Sequence, residues 1–151
     1  MTKYLLLGVL SAGYLLNAQP AKRPTKPIEV VKAFLAAMAK KDFATALPYV
    51  AENCVYDNVP KGVVRGPEGV RAVLEPFFAP ILENEFVLLR EATKGPLVFI
   101  ERLDRHRMPN GWVELPVTGV WEVHNGRITL WREYFDAGTL PKQKAWPKPP
   151  V

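Results

Sequence analysis

RMPNGWVELPVTGVWEVHNGRITLWREYFD, residues 107–136, is the stretch that decides the fold. Two runs rich in branched and aromatic side chains, Trp112 to Val123 and Arg127 to Phe135, flank Asn125-Gly126. An Asn-Gly pair between β-rich runs is the strongest short hairpin signal, because both residues accept the left-handed backbone of a tight turn. Upstream, Pro109-Asn110-Gly111 separates Pro96 to Arg107 from the hairpin, and Lys94-Gly95 closes a further run that begins at Asn84 or Glu85 and ends at Thr93. The second half of the chain therefore reads as an antiparallel meander.

The period changes in the first half. Ile28, Val31, Phe34, Leu35 and Met38 recur at helical spacing behind Pro27, which suits a first helical turn where its missing N–H costs nothing. Asp42 is placed to cap a second helix, Phe43 to Val50, bent or shortened at Pro48. A third begins near Gly66-Pro67-Glu68 and carries Val70, Val73, Leu74, Phe77 and Phe78. Helices followed by a meander give an α+β domain, and such a sheet can curl around the helices and leave a pocket between them.

Composition and charge restrict the function. The 151 residues suit one domain, and a 48% hydrophobic content is enough for a packed core. The chain carries a net charge of +5, but seven of its 20 basic residues lie in the flanks. The stretch 27–140 keeps 13 of them against all 15 acids, a net charge of −2. A nucleic-acid surface needs its lysines and arginines clustered on the fold itself, so that function class is excluded. A single cysteine, Cys54, excludes an internal disulfide and a Cys-based zinc site, and it reads as a small buried residue. His106 and His124 have no metal-ligand spacing.

The ends have their own character. Residues 1–18, MTKYLLLGVLSAGYLLNA, read as an export signal or short anchor, with Lys3 ahead of an apolar run and Ala18 at a possible cleavage point. That reading places the protein outside the cytoplasm, in the periplasm or beyond, or on a membrane; without it the chain would stay in the cytoplasm. Residues 19–27 form a Pro- and Lys-rich linker, 28–140 the domain, and 141–151 an extended tail of similar composition with Trp146 resting on the surface.

Strand alternation sorts the polar residues of the domain into sets. Tyr56 and Asn58 share a face, as do Arg102 and Asp104. Thr129, Trp131, Glu133 and Phe135 share another, and Leu115, Val117 and Gly119 a fourth. If these faces converge, an apolar pocket holds two carboxylates with an arginine between them. An arginine so placed supplies the pairing that buried charge requires, and can drive the two carboxyl pKa values apart. Asp57 and Asp136 alternate away as surface or capping residues, and Glu101 and Arg132 fall outside as a cross-strand pair. His106 extends the Arg102–Asp104 face by one step, either as a solvated strand-end histidine or at the pocket mouth. Taken singly, each of these residues has a plain structural explanation; their joint presence makes the functional case.

VYDNVP at 55–60, IERLD at 100–104, LPVTGVWEVHNGRIT at 115–129 and LWREYFD at 130–136 resemble, in sequence and spacing, the limonene-1,2-epoxide hydrolase family of the NTF2-like, ketosteroid-isomerase-like superfamily. The likeness spans roughly residues 28–140. It implies a cone of three or four helices on a strongly curved, mostly antiparallel mixed sheet. It also implies a hydrolase that uses neither metal nor cofactor and opens a small hydrophobic epoxide with water to a vicinal diol. By the same resemblance Glu133 is the general base, Asp104 the general acid and Arg102 the bridge, while Tyr56 and Asn58 hold the water. Leu35, Met38, Phe77, Ile81, Leu115, Val117 and Phe135 match its pocket positions, and a homodimer through the sheet is implied. The chain departs from the family at the base, with WREYFD in place of WRDYFD; the added methylene moves the carboxylate by about 1.5 Å on a fixed backbone. A non-catalytic ligand-binding module and an isomerase or cyclase are the rival readings on this fold.

Overall fold

The computed structural model describes residues 23–147. The expected export segment, residues 19–22 of the linker and the last four residues of the tail lie outside the described residues. Helix α1 (Pro27–Ala39) buries Val30, Val31, Phe34, Leu35, Ala37 and Met38 and leaves its polar face to solvent. Asp42 caps the next helix as expected, its carboxylate accepting from the Thr45 N–H at 3.0 Å. That helix, α2 (Phe43–Ala46), is shorter than the sequence suggests. Pro48 lies in a single 3-10 turn, Leu47–Tyr49, and Val50 already opens a strand.

Strand β1 (Val50–Asn58) is followed by β2 (Gly62–Arg65), then by α3 (Gly66–Phe78), which holds Pro76 near its end. The meander follows as β3 (Glu83–Lys94), β4 (Leu97–Met108), β5 (Gly111–His124) and β6 (Arg127–Tyr134). A four-residue helix, α4 (Thr139–Lys142), comes last. The six strands form one sheet in the order β2-β1-β6-β5-β4-β3. Only β1 and β6 run parallel among these pairs; the other four are antiparallel, which makes the sheet mixed. The Asn125-Gly126 turn has φ of 51° and 72°, the left-handed pair that a two-residue hairpin requires.

Register shifts within the β1–β6, β3–β4 and β5–β6 pairs bend the sheet around the helices, as bulges do. The shift in β5–β6 pairs Glu122 with Leu130 and Val123 with Ile128, which leaves Thr129 as the extra residue. Strict alternation had put Thr129 on the Trp131 face. The bulge turns Ile128 inward instead, and Thr129 donates its hydroxyl to the Glu122 carbonyl at 3.3 Å.

On β4, every second residue from Val98 to Met108 is buried, and three of these, Arg102, Asp104 and His106, are polar. The opposite face carries Arg105 between Glu85 (2.5 Å) and Glu114 (3.0 Å), and Glu101 paired with Arg90 at 2.5 Å. Arg132 pairs with Asp57 at 2.7 Å and not with Glu101, because β6 lies beside β1 with Asp57 opposite Arg132. Such exposed pairs contribute little stability.

Candidate active site

The concave side of the sheet, α1, α3 and the C-terminal segment enclose a cavity of about 430 Å³. Its wall contains all five candidate catalytic residues, Tyr56, Asn58, Arg102, Asp104 and Glu133, and six of the seven apolar candidates, Leu35, Met38, Phe77, Leu115, Val117 and Phe135. Ile81 is the exception. It is 1% exposed and packs in the hydrophobic core just after α3, where the chain turns into β3, so it does not reach the cavity. Phe34, Val73, Leu74, Phe86 and Trp131 complete much of the apolar lining.

Arg102 is at the centre of the polar cluster. Its Nε donates to Asp104 Oδ1 at 2.7 Å, and its Nη2 to Asp104 Oδ2 at 3.2 Å and to Glu133 Oε1. Asp104 is two residues along the same strand face, whereas Glu133 belongs to β6, on the far side of β5. The guanidinium therefore crosses over β5, resting near the rings of Trp121 (5.6 Å) and Phe86 (5.4 Å). Cation–π attraction suits a guanidinium there. Glu133 makes this contact with the longer side chain that departs from the family pattern.

Burial and charge act in opposite directions within the cluster. Burial pushes the Asp104 pKa up; the Glu133 charge adds to this and the Arg102 charge opposes it, leaving Asp104 at about 6. Burial works against the charge on Arg102, but Glu133 and Asp104 outweigh it, and its pKa lies above the ordinary value. Burial, with the Glu133 charge second, holds the Tyr56 phenol well above its usual pKa, so it keeps its proton. Burial likewise raises the Cys54 thiol to about 11, which leaves it inert as a nucleophile.

Tyr56 is fixed by stacking on Trp131, with centroids 4.0 Å apart, and Trp131 meets Phe34 edge-on at 5.0 Å. The Asn58 amide donates to Tyr56 Oη at 3.0 Å, which leaves the Tyr56 hydroxyl hydrogen for another acceptor. In the parallel register Tyr56 lies beside Trp131, and Asn58 beside Glu133. Asn58 Oδ1 and Arg102 Nη1 are buried with no hydrogen-bond partner among the described residues. The arrangement thus offers a donor and an acceptor beside Glu133, a position a water molecule can satisfy.

Three residues refine or correct the sequence reading. Of the two places open to His106, the structure takes the cavity: it is buried in the wall at 1% exposure, not solvated. Asp136 does cap, its carboxylate accepting from the Gly138 N–H and the Thr139 hydroxyl ahead of α4, but it does not alternate away from the site: it is on the cavity rim, because strand alternation ends at Tyr134. Trp146 does not rest on an outer surface: it is half-buried, lines the cavity beside Leu140 and Pro141, and lies 6.2 Å from Phe77. Its aromatic character in a polar tail was the one available sign. Among the described residues, no three His, Cys, Asp or Glu side chains gather where they could hold a metal ion.

Residues 25–146 match the family model described as the limonene-1,2-epoxide hydrolase catalytic domain. The epoxide hydrolase EphG of Mycobacterium tuberculosis is 36% identical over 106 residues, 70% of each chain. The solved structure of an M. tuberculosis LEH-like epoxide hydrolase superposes with a TM-score of 0.67 at 34% identity, covering 77% of this chain and 86% of that one. A putative SnoaL-like polyketide cyclase from Shewanella denitrificans gives a TM-score of 0.70 at 19% identity over 78% and 95% of the two chains, a likeness of fold alone.

Proposed function

Because the chain belongs to the limonene-1,2-epoxide hydrolase family, we propose that it opens a small hydrophobic epoxide to a vicinal diol by direct attack of water. The observation that carries the reading is one arginine bridging two buried carboxyl groups at the wall of an apolar cavity that also holds Tyr56 and Asn58.

In the proposed step, Tyr56 donates to the water oxygen and Asn58 Oδ1 accepts one of its hydrogens. Glu133 takes the other proton as the water oxygen bonds to an oxirane carbon. The carbon–oxygen bond breaks, and the departing oxygen takes the proton of Asp104. A proton lost from Glu133 and one regained by Asp104 reset the pair. Arg102 stabilises whichever carboxyl is charged and fixes the distance between them, so acid and base stay oppositely protonated at one pH. The cavity volume is within the ordinary range for small-molecule sites, and its largely apolar wall favours a lipophilic substrate.

The test is incubation with limonene, cyclohexene and styrene oxides, with diol followed by chiral chromatography beside Glu133→Gln. Diol from the native chain and none from the variant supports both the reaction and the base. No diol from any epoxide, with a folded protein that still binds apolar ligands, would overturn the reading in favour of a binding module.

We also assign a homodimer to the convex face of the sheet. Val87 and Phe99 are exposed there, on either side of the Arg90–Glu101 pair, and a partner's sheet would cover both. Light scattering of the native chain and Phe99→Glu tests this, with a dimer expected for the first and a monomer for the second.

A further inference from the structure

His106 is buried within the cavity wall, yet the proposed chemistry gives it no task. Its hydrogen bonds fix its tautomer. The Asn84 amide nitrogen donates to the Met38 carbonyl at 3.3 Å, and a carbonyl accepts only from a donor, so Asn84 Oδ1 is the atom that faces His106. That oxygen is 2.7 Å from His106 Nδ1. An amide oxygen cannot donate, so Nδ1 carries the proton. Nε2 is then a bare lone pair, buried and without a partner among the described residues. Burial, and the Arg102 charge, hold the ring's pKa down to about 4, so it is neutral at pH 7.

The surroundings leave Nε2 one kind of partner. Phe77 meets the ring edge-on at 5.4 Å and Phe78 lies at 6.3 Å, so the helix side is apolar. Asn84, which holds Nδ1, is outside the cavity lining, whereas His106 itself is part of the cavity wall. A buried acceptor that stays unpaired is costly, and a ligand that pairs it gains accordingly. The acid Asp104 is two residues away on the same strand face, about 7 Å along the backbone.

We propose that His106 is a specificity-determining residue whose Nε2 accepts a hydrogen bond from a hydroxyl on the substrate, set the width of a small carbocycle away from the oxirane. On the epoxide hydrolase reading, on which this rests, the preferred substrates are hydroxy-epoxides and not plain hydrocarbon epoxides. Phe77 and Phe78 confine the ring, and Asn84 holds it in the accepting tautomer.

The test uses 4-hydroxycyclohexene oxide and 4-methylcyclohexene oxide, in which hydroxyl and methyl are near-isosteric. The native chain should favour the hydroxy compound in kcat/KM by roughly ten- to a hundredfold, the range set by pairing a buried acceptor. In His106→Leu the ratio should fall to one or invert. A native ratio at or below one, or a ratio that the substitution leaves intact, overturns the assignment. Nitrogen NMR of the native chain gives a second readout that needs neither turnover nor a folded variant. The His106 Nε2 resonance should be that of an unprotonated nitrogen and should move on adding cyclohexanol but not methylcyclohexane. A protonated Nε2, or one that the alcohol does not move, also overturns it. Absence of diol from every epoxide, with the nitrogen shift present, would overturn the hydrolase reading and leave His106 as a hydroxyl acceptor.

Discussion

The indole of Trp121 lies flat over Gly119, two residues back on β5, so that a β-carbon at 119 would stand 2.0 Å from Cη2 of the ring. Gly119 is opposite Glu133 in the β5–β6 register, and the same indole supports the Arg102 guanidinium as it crosses β5. The missing side chain at 119 thus gives the ring its place, and the ring helps seat the bridge between the two carboxyl groups.

Gly119→Ala should therefore damage stability and activity together. Trp121 is fully buried and cannot swing into solvent, so the overlap strains the sheet by about 1–3 kcal/mol, the usual range for overpacking. A smaller residue at 121 should relieve part of this. In urea denaturation, Gly119→Ala combined with Trp121→Leu should lose less stability than the two single losses added together. Simple additivity would show that the two sites do not communicate.

Glu133→Asp tests the departure from the family pattern. The Glu133 carboxylate reaches Arg102 from the far side of β5, and a side chain shorter by one methylene retreats by about 1.5 Å. A misplacement of that size can cost on the order of 100-fold in rate. Steady-state kinetics should show kcat falling by that order with the fold intact. A gain in kcat would mean instead that the site is a decayed form of the family's.

The Asp104 pKa sets the direction of two pH effects. If Asp104 must donate a proton, kcat/KM falls as pH rises above about 6, roughly tenfold per unit once the acid is mostly ionised. Stability moves in the same direction. The folded-state pKa of about 6 is above the ordinary 3.8, so the folded state binds the proton more tightly than the unfolded chain does. This contribution is full below about pH 4 and is lost as pH rises through about 6. Asp104→Asn should abolish turnover and flatten this part of the stability profile, measured by thermal unfolding across that window.

Much of this site was legible because β4 repeats with a period of two. Arg102, Asp104 and His106 alternate with outward residues, and the pairing of β4 through β5 to β6 brings Glu133 to the same side. What was not legible follows from local exceptions to that period. The extra residue at Thr129 resets the phase of β6, which no pattern of apolar residues announces. Strand β2 is a short, largely exposed edge strand and carries no alternation to read. The Arg132–Asp57 pair depends on the parallel β1–β6 contact, which joins segments 75 residues apart. Ile81 resembles a pocket residue in character, but the turn after α3 directs it into the core. Proline and lysine in the C-terminal stretch masked its contacts with the domain.

Those contacts carry the last prediction. Strand β5 pairs with β6 only from Thr118 onward, which leaves the edge near Glu114 open. Gln143 closes it: its Oε1 accepts from the Glu114 N–H at 2.8 Å, and its Nε2 donates to the Glu114 carbonyl at 2.5 Å. Pro116 on the same strand tolerates that open edge, since it has no N–H to leave unpaired. With Gln143 fixed, Leu140, Pro141 and Trp146 are held as a wall of the cavity. Trp146→Ala should remove apolar contact with the substrate without touching the carboxyl pair. KM for a bulky epoxide such as limonene oxide should then rise about tenfold, the equivalent of a partly buried aromatic, with kcat changed little. Gln143→Ala should act in the same direction by releasing the segment. If Trp146 only supports the fold, Trp146→Ala would lower the melting temperature and leave KM where it was. Substrate kinetics and thermal unfolding on the same preparation separate the two outcomes.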